Sequence, residues 1–161
     1  MKKRFKLALQ PDKDFKTRPV DPKTDLEFIY SSWLKSYRQS EFAKNIPSTQ
    51  YFPYHHNLIT TIIAQPTNNT TILCDPDDES TILGYIVYNT KEPIVFYMYI
   101  KHTLRRFGLG KYLLESIRTN FGEESFIKCT HKVQAWSKVN KKHNLIFNPY
   151  LIKEEAPDEN S

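Results

Sequence analysis

Apolar positions divide the chain into helical and strand-like stretches. Leu26, Ile29, Tyr30, Trp33, Leu34 and Tyr37 recur at alternating steps of three and one, which places them on one face of an α-helix. Thr24 and Glu27 at its start have the form of a capping box, in which hydroxyl and carboxylate each satisfy a free backbone donor. Leu58, Ile59, Ile62 and Ile63 predict a second helix over 54–65, ended by Pro66. Leu109, Tyr112, Leu113 and Ile117 predict a third, and Val133, Trp136, Val139 and His143 a weaker fourth. Apolar runs bounded by turn residues read as strands at 17–20, 71–74, 81–88, 94–101, 125–130 and 145–152. Pro149 makes the last an edge or bulged strand. The stretch 39–53 lacks periodicity and holds Pro47 and Pro53, so a loop or short turns are expected there. A polar turn is expected at 67–70 and an acidic hairpin loop at 75–80. Gly122 suits a helix C-cap of positive φ.

Two hairpin strands leading into a strand–turn–helix unit predict an α+β chain with a mixed, mostly antiparallel sheet flanked by helices in three layers. Its 161 residues at 39% hydrophobic content suffice for one domain with a sizeable core. The expected division is an N-terminal extension at 1–16, the domain at 17–152, and a disordered acidic tail at 153–161. A net charge of +5 is too mild for a dedicated nucleic-acid binder and matches a small polyanionic cofactor. Cys74 and Cys129 sit in expected strands as small buried hydrophobes. They form neither a metal-ligand spacing nor a disulfide framework, which suits a reducing compartment. No run is long and apolar enough for a membrane span, and the N-terminal run is charged too soon for a signal peptide. A cytoplasmic location is expected.

The chemistry concentrates between 94 and 114. A strand empties through a basic connection into Gly108-Leu109-Gly110, and the third helix opens there. Such a turn offers free backbone N–H groups and the positive end of the helix dipole to an anion. Arg105, Arg106 and Lys111 add full charges, and two of the chain's four glycines lie here. The arrangement predicts a phosphate cradle.

Arg105-Arg106-Phe107-Gly108-Leu109-Gly110 resembles the [Q/R]-x-x-G-x-[G/A] signature of the GNAT superfamily of N-acetyltransferases. The resemblance extends over about 17–152, with His102 standing where many members carry proline. The layout is similar to small stand-alone phage and bacterial members. The resemblance implies acetyl transfer from acetyl-coenzyme A to a primary amine on a protein or small molecule. Arg105 through Lys111 would then hold the pyrophosphate. Met98, Tyr99 and Ile100 would hold the pantetheine arm by main-chain bonds, in a splay between this strand and the 125–130 strand. The family's usual tyrosine acid is missing from the helix expected at 133–143, which leaves His131, Ser137 and Tyr150 as candidate catalytic groups. Tyr51, Tyr54 and His55 fall where the family borders its acceptor. The adjacent His55 and His56 are no metal signature, because neighbouring helical residues point about 100° apart. A catalytically silent GNAT fold that blocks a host protein is the alternative. A tRNA partner and a monomer or homodimer are both compatible with the sequence.

Overall fold

The computed structural model describes residues 9–122, 125–132 and 144–152. Six strands form one sheet in sequence order: β1 (Lys16–Pro19), β2 (Asn68–Cys74), β3 (Ile82–Asn89), β4 (Ile94–Ile100), β5 (Ile127–Cys129) and β6 (Leu145–Phe147). β1 to β4 pair antiparallel, whereas β4–β5 and β5–β6 are parallel. Helices α1 (Leu26–Arg38) and α2 (Ser48–Ala64) cover one face, and α3 (Leu109–Arg118) covers the other. The expected three-layer α+β architecture is therefore present.

Strand alternation feeds each layer. Ile72, Cys74, Tyr85, Val87 and Tyr97 pack beneath Ile29, Trp33 and Tyr37 of α1 and Tyr51, Ile59 and Ile62 of α2. Leu73, Ile86, Val95 and Ile127 meet Leu109, Leu113, Leu114 and Ile117 of α3. Tyr112, expected on that buried face, lies at its margin against the edge of Phe15, with ring centroids 5.0 Å apart. Phe15, just before β1, is itself buried in the α3 layer. Cys74 and Cys129 are free and buried. No helix among the described residues is long and apolar enough to cross a membrane.

Several boundaries differ from the sequence reading. α2 starts at Ser48, six residues early, with Pro53 inside it. His55 and Tyr51, one turn and two turns ahead of Leu58 and Ile59 on the wheel, extend its buried face past the proline. The expected polar turn at 67–70 gives most of its length to β2, because Asn68, Asn69 and Thr70 pair with Asn89, Tyr88 and Val87. The capping box is not formed. Asp25, the N-cap, makes no cap bond and turns its carboxylate back to Arg18 at 2.6 and 2.9 Å. A buried bidentate ion pair outcompetes a single cap bond. The last strand stops at Phe147, and Pro149 opens a 3₁₀ turn over Pro149–Leu151. Pro149 lacks the N–H that would extend the ladder. The helix expected at 133–143 and the tail expected at 153–161 lie outside the described residues.

Candidate active site

β4 is held on both sides for only part of its length. Lys101 N–H donates to the Leu83 carbonyl, which fixes the phase of the antiparallel ladder. Tyr97 and Tyr99 therefore turn their backbone groups toward β3, and Met98 and Ile100 turn theirs away. β5 pairs with β4 only at Ile94 and Val95. Beyond that point β4 presents an open edge to a gap in the sheet, with the N–H groups of Met98 and Ile100 directed into it. A register shift between Val87 and Tyr88 puts Phe96 at a bulge where the two strands part. At the apex the Thr130 hydroxyl donates to the Phe96 carbonyl at 3.2 Å. Of the three residues expected to line this gap with backbone groups, Met98 and Ile100 do so. Tyr99 instead sends its side chain onto the α1 face.

The connection to α3 then forms the cradle. A 3₁₀ turn over His102–Leu104 leads to Arg105, whose Nε donates to the Ile100 carbonyl at 3.1 Å, on the gap side of β4. Arg106 has a positive φ of 79°, and Gly108, the N-cap of α3, has φ 82°. The first intrahelical bond runs from Tyr112 N–H to the Gly108 carbonyl at 3.0 Å. The amides of Leu109, Gly110 and Lys111 are thus left without helical partners. Gly110 keeps this end open: a Cβ there would lie 3.3 Å from Met98 Cε, in the angle between helix and strand. Leu109 is a buried anchor, Phe107 is half-buried, and Arg106 and Lys111 are exposed.

Beside the open edge, on the α1 face, lies a cleft of about 670 Å³. One wall is a stripe of α1 at helical spacing, from Thr24 through Glu27, Ser31 and Ser32 to Lys35 and Ser36; Tyr99 and Arg105 form the other. Tyr99 stacks on Tyr85, with ring centroids 5.5 Å apart, and meets Phe28 edge-on. Its hydroxyl has no partner among the described residues. The Tyr85 and Tyr97 hydroxyls, by contrast, are occupied by Ser32 and Ser36. The stripe was readable as a second period-3.6 pattern on α1, but small polar residues in that pattern pass for an ordinary solvated face.

Of the expected catalytic and acceptor residues, His131, His55 and Tyr51 share one buried aromatic cluster around Tyr37, whereas Tyr54 and Tyr150 are exposed. His131 is buried beneath Trp33 and Tyr37, and its Nδ1 lies 2.8 Å from the Thr130 hydroxyl. Because that hydroxyl donates to Phe96, it accepts from His131, which fixes the Nδ1–H tautomer. Burial, together with nearby His55 and against the Phe96 carbonyl, pushes the His131 imidazole down to about 3. A neutral ring so enclosed wedges the apex of the gap rather than meeting a reactant. Tyr150 is 91% exposed on the terminal 3₁₀ turn and lines neither the cleft nor the gap. Ser137 lies outside the described residues. Tyr51 is buried with its hydroxyl on the Leu34 carbonyl at 2.7 Å, and Tyr54 points to solvent. His55 is buried beside Tyr51 and Tyr37, and neither of its ring nitrogens finds a partner among the described residues. Among the described residues no group of three or more His, Cys, Asp or Glu side chains could hold a metal.

No protein-family model and no curated protein matches the sequence. Solved structures do. A possible acetyltransferase from Clostridium difficile 630 superposes with a TM-score of 0.56 at 13% identity, covering 91% of this chain and 100% of that one. The chain has the GNAT acetyltransferase fold. A predicted acetyltransferase from Clostridium acetobutylicum, solved with acetyl-CoA, matches the GNAT fold here at 16% identity and a TM-score of 0.49, over 89% of this chain and 94% of its own. An aminoglycoside N-acetyltransferase in complex with CoA matches at 16% identity and 0.46, over 89% and 91%. Within the GNAT fold of this chain, gap and cradle occupy the seam between the antiparallel and parallel halves of the sheet.

Proposed function

We propose that the protein is an acetyl-coenzyme A-dependent N-acetyltransferase acting on a primary amine. One observation carries this reading: the open edge of β4 at Met98 and Ile100 runs directly into the glycine-capped N-terminus of α3. An extended amide-bearing arm laid in the gap completes the sheet by main-chain bonds, as an added strand does. The pyrophosphate at its end meets the amides of Leu109, Gly110 and Lys111 and the charges of Arg106 and Lys111. When bound, the coenzyme supplies an activated acyl thioester. The chain supplies orientation, N–H donors on the open edge for the charge that develops on the acyl oxygen, and a wall against water.

The leaving thiol is tolerable without a side-chain acid, having a pKa near a free cysteine's, about 8.5. Tyr99, on β4 itself, carries a hydroxyl that is unengaged among the described residues and lines the neighbouring cleft. General-acid help of about 10²- to 10⁴-fold would be its contribution if the thiolate is protonated there.

Gly110→Asp tests the reading. The added atoms meet only the flexible end of Met98 and the mouth of the cradle, so the fold is expected to persist. Calorimetry with acetyl-coenzyme A is expected to show binding to the wild type and none to Gly110→Asp. Equal affinity in a folded variant would remove the cradle from the site.

A further inference from the structure

The cleft on the α1 face carries information about the acceptor. Arg105 links it to the open edge of β4, since it both lines the cleft and donates to the Ile100 carbonyl. Its charged lining residues are Glu27, Lys35 and Arg105, and none of the three forms an ion pair among the described residues. Glu27 and Lys35 are eight residues apart on α1, about 12 Å along its axis, with serines between them. The small side chains of Ser31, Ser32 and Ser36 make the room.

Two uncompensated cations and one carboxylate give the cleft a net positive lining. A polyamine or another polycation would meet two like charges and one carboxylate. A small amine that also bears an anion finds guanidinium and ammonium donors for the anion, both suited to carboxylate or phosphate. Its amine is then left to face the open edge. We infer that the acceptor is a small amine carrying a carboxylate or phosphate group, bound with its anion between Lys35 and Arg105 of this cleft. This rests on the acetyltransferase reading above and names the acceptor class for that site.

The transfer balances simply. The neutral amine nitrogen forms a bond to the acyl carbon, the carbon–sulfur bond breaks, and the nitrogen's proton leaves to solvent as the thiolate takes one up.

The test is equilibrium binding by calorimetry to the full chain saturated with coenzyme A. The probes are O-phosphoethanolamine, β-alanine, ethanolamine and spermidine. Both anionic amines are expected to bind at least about tenfold more tightly than ethanolamine or spermidine, a difference that the loss of one charge-assisted contact would produce. The phosphate and carboxylate arms rank the two anions. Lys35→Glu is expected to erase that preference while coenzyme affinity stays unchanged, since Lys35 lies away from the cradle. Spermidine binding as tightly as the anionic amines, an unchanged preference in Lys35→Glu, or no anionic amine bound to the coenzyme-loaded chain would each overturn the inference. Failure of coenzyme A itself to bind would instead overturn the reading on which it rests.

Discussion

Arg18 and Asp25 show how a single pairing can redirect a local motif. The guanidinium holds the Asp25 carboxyl below the usual carboxylate range, with the Asp21 amide adding a further hydrogen bond at 2.7 Å. Asp25→Ala leaves Arg18 facing a nearly buried vacancy and is expected to cost about 3 kcal/mol, the low end for a broken buried pair. His55 and His131 act in a different pH range. Burial lowers both imidazoles, whereas the unfolded chain takes up their protons near 6.5. The unfolded state thus binds more protons as the pH falls below about 6.5, and stability declines from there toward about 3. Asp25, depressed in the fold, contributes stability above about 3.9 that is lost only as the pH drops through its lower folded value. Thermal melts between pH 7 and 5 are expected to decline steeply in the wild type and less in the His55→Gln/His131→Gln variant. Asp25→Asn is expected to lower the melting temperature at pH 7 without changing that slope. Equal slopes in wild type and the histidine variant would show that neither ring is held neutral by burial. At this scale Gly108 and Gly110 were legible, because glycine at a strand-to-helix turn has few other uses. The role of Asp25 was not, since a carboxylate's partner seven residues away leaves no local pattern.

Among the elements, β3 and β4 set the geometry of the cradle. Gly84 lies opposite Ile100, and a Cβ there would collide with the Tyr99 carbonyl. Such close backbone approach is what a glycine within a strand signals. Gly84→Ala is expected to force the C-terminal end of β4 away from β3, costing about 1–3 kcal/mol by overpacking. Coenzyme affinity is expected to fall with it, because Met98 and Ile100 move with that end. Denaturant unfolding and calorimetry on one preparation check both halves; a drop in stability with unchanged affinity would uncouple the strand end from the site. The α1 pattern and the strand β4 were plain in the sequence, since one residue class repeats along each. The start of α2 was hidden by Pro47 and Pro53, which read as breakers although the first is its N-cap and the second is accommodated within it. The extension of β2 over Asn68–Thr70 was invisible for a similar reason: polar residues form a strand there only because β3 already offers a partner.

On the scale of the whole molecule, the sheet joins an antiparallel half to a parallel half, and the two separate where β4 outruns β5. Strand order and layers follow from the hydrophobic pattern. The gap does not, because it is made of backbone groups that every residue carries. Its consequence is kinetic. Along β4 the amides alternate between bonds to β3 and the open side, so they sample solvent at two very different rates. In deuterated buffer the amides of Tyr97 and Tyr99 are expected to exchange only with sheet opening, and those of Met98 and Ile100 within the first time points. Coenzyme A should slow the second pair and leave the first nearly unchanged. Uniform protection along β4 in the free protein would mean that the edge is already covered. An alternating record of fast and slow amides would make the empty place in the sheet visible one residue at a time.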